Sequence, residues 1–96
     1  MIIDIPYKEG DTVTLKTTGG EEVIGRYVKD DTTTITLKKP MSIVMGQQGV
    51  GLGPFAVTLN PDVQVAINKH ATLFVHKTDG EMAKQYIAST SGIQLV

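Results

Sequence analysis

Residues 12–37 read TVTLKTTGGEEVIGRYVKDDTTTITL, and this stretch decides the fold. Thr12 to Thr17 alternate polar and apolar residues with period two, the pattern of a strand with one buried face, and put Val13 and Leu15 inward. Thr18-Gly19-Gly20 then supplies glycines able to take positive φ in a tight turn. Glu21 to Asp30 read as the returning strand, so the two segments form a hairpin. Gly25 stands in the middle of that second strand, where a missing side chain weakens the ladder but permits a sharp bend or a close backbone approach. Asp30-Asp31-Thr32 is a polar turn in which an aspartate can hydrogen-bond its own backbone. Thr33 to Lys38 follow as a third strand with Ile35 and Leu37 inward.

Working outward from this core, Lys39-Pro40 interrupts the third strand and the apolar run Met41 to Met45 suggests that it resumes. Pro40 then marks an edge or a bulge. Residues 46–54 carry four glycines and read as a loop, with Phe55 to Leu59 as a returning strand and Asn60-Pro61-Asp62 as a turn. Val63 to Ile67 alternate again, Asn68-Lys69-His70 is a short polar connector, and Ala71 to His76 form a last strand. Thr78-Asp79-Gly80-Glu81 has capping-box spacing and opens a short helix over about 79–89, with Met82, Tyr86 and Ile87 on one face. Gly92 stops it, and Ile93 to Val96 alternate like an extended segment able to join a sheet edge.

Composition agrees with this reading. Ten Val, nine Ile and twelve Thr among 96 residues favour a pleated, half-buried surface over helix. Zero cysteines exclude a disulfide framework, a thiolate metal site and a cysteine nucleophile. A net charge of −1 lacks the basic excess of a duplex-DNA binder. No apolar run approaches the roughly 18 residues of a membrane helix, and the first residues lack the basic flank of a signal peptide, so a cytoplasmic protein without membrane contact is expected.

Val13-x-Leu15, the turn at Gly19-Gly20, Val23-x-Gly25-x-Tyr27, Asp31 and the Ile35-x-Leu37 pair resemble the first motif of Sm and LSm proteins. Residues 65–75 resemble the second motif, and Lys69-His70-Ala71 is similar to the Lys-His-Ala run of the bacterial Hfq branch. The resemblance spans residues 12–76. It implies a mostly β protein: a strongly bent, five-stranded antiparallel open barrel of SH3-like shape, carrying here an extended hairpin over 38–64 and a short helix near the end of the sequence. With neither an internal repeat nor a linker visible, a single domain over 1–96 is expected, and the resemblance further implies a homo-oligomeric ring in which the fourth strand of one subunit pairs with the fifth of the next. Candidate interface residues are Val63, Val65 and Ile67 on one edge and Thr72, Leu73, Phe74 and Val75 on the other. Residues 72–75 support this independently, because Leu73 and Val75 point to one face and Phe74 to the other, leaving an apolar edge that asks for a cover.

The same resemblance places single-stranded RNA near the ring opening, at Asp31, Thr32 and Thr33 in the turn and Asn68, Lys69 and His70 in the connector. Two departures bear on that ligand. Thr32, Thr33 and Thr34 stand where uridine-binding members carry a stacking side chain, and base stacking is worth about 1–3 kcal/mol per base. The helix that precedes the barrel in the family is missing, since Met1 to Tyr7 are few and contain Pro6. A ring-forming structural or protein-interaction module is therefore the alternative expectation. Other patterns carry less. Gly49 to Gly53 lack both G-K-[ST] and G-x-G-x-x-G, His76 has no ligand-spaced neighbours, Met41 and Met45 read as packing residues, and no nucleophile setting is present. We expect no enzyme, no cofactor and no metal.

Overall fold

The computed structural model describes residues 7–56, 58–60 and 62–90. The alternating stretch at residue 12 forms β1 (Thr12–Thr17), which pairs antiparallel with β2 (Glu22–Asp30), and β2 pairs with β3 (Thr34–Gly46). Val13, Leu15, Val23, Tyr27, Ile35 and Leu37 fill the core with Ile67, as the period-two reading requires. Gly25 sits where β2 bends. A Cβ there would lie 3.1 Å from both Cβ and Cδ1 of Leu37, so a larger residue would have to push the Leu37 side chain aside by a few tenths of an ångström.

The bend is built as a bulge. Ile24 pairs with Met41 and Arg26 with Lys38, which leaves Lys39 and Pro40 opposite Gly25 alone. Pro40 thus lies inside a continuous strand at a bulge, where a ladder donor is dispensable. Lys39 takes φ 53°, and its carbonyl accepts a hydrogen bond from the Tyr86 hydroxyl at 2.6 Å, with the Lys38 carbonyl 3.1 Å from the same oxygen.

Residues 46–54 are not a loop, and the returning strand is not Phe55 to Leu59. β4 (Gly49–Pro54) returns directly along β3, pairing Met45 with Val50, Val44 with Gly51, Ile43 with Leu52 and Ser42 with Gly53. Its glycines alternate with Val50 and Leu52, and a Cβ on Gly51 or Gly53 would touch the methyl groups of Val44 at 3.7 and 3.4 Å. Gln47 and Gln48 make the turn, with Gly49 at φ 110°. Val44, Met45 and Val50 are exposed, so Met45 is not a packing residue. The described residues between Pro54 and Gln64 leave the sheet as an excursion before β5 (Gln64–Asn68), which pairs with the first half of β3.

β3 meets β2 along one side for most of its length, so β4 and β5 both occupy its other side, one beyond the other. Among the described residues six strand segments therefore make a five-position sheet, the expected bent antiparallel barrel with one strand interrupted. A single 3-10 turn over Lys69–Ala71 leads to β6 (Thr72–Lys77), which returns to β1. Among the described residues β5 and β6 do not pair, so the barrel is open.

The helix α1 (Gly80–Thr90) matches the expected position. Its cap is Asp79 rather than Thr78: the Glu81 amide donates to Asp79 Oδ2 at 3.3 Å, while the Thr78 hydroxyl pairs with that of Thr14 at 2.9 Å. Thr78 is thus held by the sheet and unavailable as a cap. Tyr86 is fully buried and Ile87 is exposed, so the apolar helix face is narrower than the sequence suggested. The expectations for residues 1–6 and for Ile93 to Val96 fall outside the described residues.

Candidate nucleic-acid interface

The β2–β3 turn and the β5–β6 connector are adjacent. Thr34 pairs with Asn68 across the β3–β5 ladder, and the Lys69 amide donates to the Thr33 carbonyl at 2.8 Å. The six residues expected at an RNA face, Asp31, Thr32, Thr33, Asn68, Lys69 and His70, therefore share one end of the barrel.

Much of this chemistry is already engaged. Asp31 Oδ1 accepts from the amides of Thr33 and Thr34, both at 2.8 Å, and from their hydroxyls at 3.2 and 3.3 Å. The amide of Thr34 first, then that of Thr33, holds the Asp31 carboxyl down at about 2. This is the expected Asx turn, and it keeps the aspartate anionic. Asn68 Oδ1 accepts from the His70 amide at 2.8 Å and caps the connector turn, so its side-chain oxygen is committed to the backbone.

Lys69 behaves differently from the sequence expectation. Its ammonium lies 2.6 Å from Asp30 Oδ2, and the Tyr27 hydroxyl donates to the other oxygen of the same carboxylate. The Lys69 hydrogen bond, then that from Tyr27, keeps the Asp30 carboxyl below the usual range. Burial, followed by the Asp30 contact, pushes the Tyr27 phenol up to about 12. Tyr7 packs edge-on against Tyr27 with ring centroids 4.8 Å apart, and its phenol is also raised, first by burial and then by Asp30. Asp30 is the residue that sequence reasoning missed as an organiser. It lies 39 positions from Lys69, and its only local signal was membership of the Asp30-Asp31 turn.

Thr32, Thr33 and His70 stay exposed at this end, and no aromatic ring stands at residues 32–34. His76 lies on β6 with Nδ1 2.9 Å from the Lys77 carbonyl. Among the described residues no group of three or more His, Asp or Glu side chains is placed to hold a metal ion, and no helix is long and apolar enough to cross a membrane.

The candidate interface residues divide by orientation. Val65 and Ile67 pair with Leu37 and Ile35 and face the core, and Val63 lies just before β5. Val75 pairs with Leu15 and packs against the core. Leu73 and Phe74 remain 63% and 51% exposed, and Thr72 is half-buried. What β5 offers outward is its backbone edge with Gln64, Ala66 and Asn68.

No family model matches the sequence, and no curated protein matches it. Among solved structures, a heptameric archaeal Sm protein is similar over 73% of this chain and 88% of its own, at 14% identity and a TM-score of 0.51. The chain has an Sm-like fold.

Proposed function

We propose that this chain is the subunit of a homo-oligomeric ring, closed by edge-to-edge pairing of β5 in one copy with β6 in the next. The observation that carries the reading is the pair of open edges. Among the described residues β5 pairs only with β3 and β6 only with β1, and the β6 edge exposes Leu73 and Phe74. Unpaired strand edges with apolar side chains favour association. The two edges differ, so the contact is head-to-tail and closes when repeated by rotation. The heptameric state of the archaeal Sm neighbour supports closure on this scaffold. Light scattering coupled to size exclusion tests the reading: a closed multiple of the subunit mass supports it, and a monomer at all concentrations overturns it.

In such a ring the β2–β3 turn and the connector gather around the opening. Each copy brings two carboxylates, Asp30 and Asp31, against one Lys69 ammonium that Asp30 already holds. This charge balance, with threonines in place of stacking rings, favours a scaffold for protein partners. The proposed role is assembly and binding rather than catalysis.

Single-stranded RNA at the same face is the second reading, favoured by the exposed Thr32, Thr33 and His70 that the Lys69 amide bond brings together. It requires Lys69 to exchange Asp30 for a phosphate, each such contact adding about −0.7 to the salt slope. Gel retardation of U-rich or A-rich RNA at low salt separates the two. Salt-dependent binding lost in Lys69→Ala with His70→Ala supports RNA, and no retardation supports the scaffold.

A further inference from the structure

A cavity of about 480 Å³ lies between the end of α1, the base of the β3–β4 hairpin and the 55–63 excursion. Its walls are largely apolar, with Met41, Phe55, Leu59, Val63 and Val65 among them. Polar groups collect at one rim. The Lys39 ammonium donates to the Thr90 carbonyl at 2.7 Å and stands 3.7 Å from Asp62 Oδ1. The space is roughly three times the ~150 Å³ void that holds benzene in a protein core, so it has room for several aliphatic carbons in more than one side chain.

The course of the chain identifies an occupant. Thr90, the last residue of α1, is itself part of the wall, and the Lys39 bond fixes its carbonyl there. The residues that follow are Ser91-Gly92-Ile93-Gln94-Leu95-Val96, with no charged side chain and with Ile93 and Leu95 alternating about Gln94. Extended backbone advances about 3.3 Å per residue, so Ser91 and Gly92 span roughly 7 Å, enough to carry Ile93 from the rim over the cavity. Glycine at 92 gives the freedom to turn back. A segment tethered this closely meets its site at an effective concentration in the millimolar range, which a free apolar ligand rarely reaches.

We propose that residues 91–96 occupy this cavity of their own chain, with Ile93 and Leu95 set against Met41, Phe55 and Val65. The occupied cavity joins helix end, hairpin base and excursion in one apolar cluster. The proposal is independent of ring assembly, because cavity and segment belong to the same chain.

The absence of native cysteines makes the test clean. Leu59→Cys, at the cavity rim, is combined in turn with Ile93→Cys, Gln94→Cys and Leu95→Cys, and each pair is oxidised mildly. Disulfide formation demands specific Cβ geometry, so the pairs with 93 and 95 are expected to close within one chain about tenfold faster than the pair with 94. Equal rates at all three positions, or no disulfide, overturn the proposal. Disulfides formed only between chains also overturn it, by assigning the cavity to a neighbour's segment. In a second measurement on the full chain, Ile93→Asp with Leu95→Asp is expected to raise the fluorescence of an added apolar dye several-fold, and an unchanged signal contradicts the proposal.

Discussion

Replacing Leu73 and Phe74 together by threonine removes the apolar cover from the β6 edge while supplying β-branched side chains that suit a strand. Full burial of a Leu or Phe side chain contributes about 1.5–3 kcal/mol. Scaled by the 63% and 51% of surface that the isolated chain leaves exposed, the two side chains together supply about 3 kcal/mol to each ring contact. At about 1.4 kcal/mol per decade, pairwise association weakens roughly 100-fold. Sedimentation across a concentration series reads this directly, and the variant is expected to dissociate at concentrations where the parent stays assembled. Both side chains project away from the core cluster, so the melting of the dissociated chain should change by no more than about 0.5 kcal/mol. An unchanged mass at every concentration would refute the reasoning, because the ring would then be held through some other surface.

Gly25→Ala is expected to cost about 1–3 kcal/mol in chemical denaturation, since the new Cβ would lie 3.1 Å from Leu37; a cost near zero would show that the β2 bend relaxes freely. Tyr86→Phe removes the donor that holds the Lys39 carbonyl at the bulge and should cost about 1 kcal/mol, read by the same denaturation. For pH, the folded chain holds the Asp30 carboxyl below its ordinary 3.8, so the stability this gives is complete above that value and is lost as pH falls through and below it. The pair is partly exposed and screened, which limits the effect to about 1 kcal/mol. Asp30→Asn should therefore lower stability at neutral pH and flatten the acid limb of the stability curve; an unaltered limb would remove Asp30 from the account.

Local pattern carried much of the fold. Period-two alternation marked β1 and the inward residues of β3, and Gly25 announced the bend, because these features act through nearest neighbours and burial of one face. Pro40 was readable as a bulge for the same reason, since its missing donor restricts where a ladder tolerates it. β4 was hidden because a glycine has no side chain to display alternation; Gly51 and Gly53 are strand residues all the same, pairing with Val44 and Ser42. The capping box at Thr78 misled because the partner that claims its hydroxyl, Thr14, lies 64 positions away.

The candidate interface shows the same division. The sequence brought together the turn and the connector through their likeness to two motifs, but not the Lys69–Asp30–Tyr27 chain that occupies the lysine. That network joins residues from β2 and the connector, and its charges are set by folding. Exposure decided the other edge: Leu73, Phe74 and Val75 read as one apolar run, yet the shift in register between Lys16 and Thr17 accompanies a β6 in which Val75 packs inward and Leu73 does not.

The mass of the intact particle by native mass spectrometry tests whether the two edges close a ring. The two open edges predict a single species at a fixed whole-number multiple of the 10.3 kDa subunit, stable on moderate dilution. A 10.3 kDa monomer at every concentration, or an open-ended ladder of sizes, would contradict it.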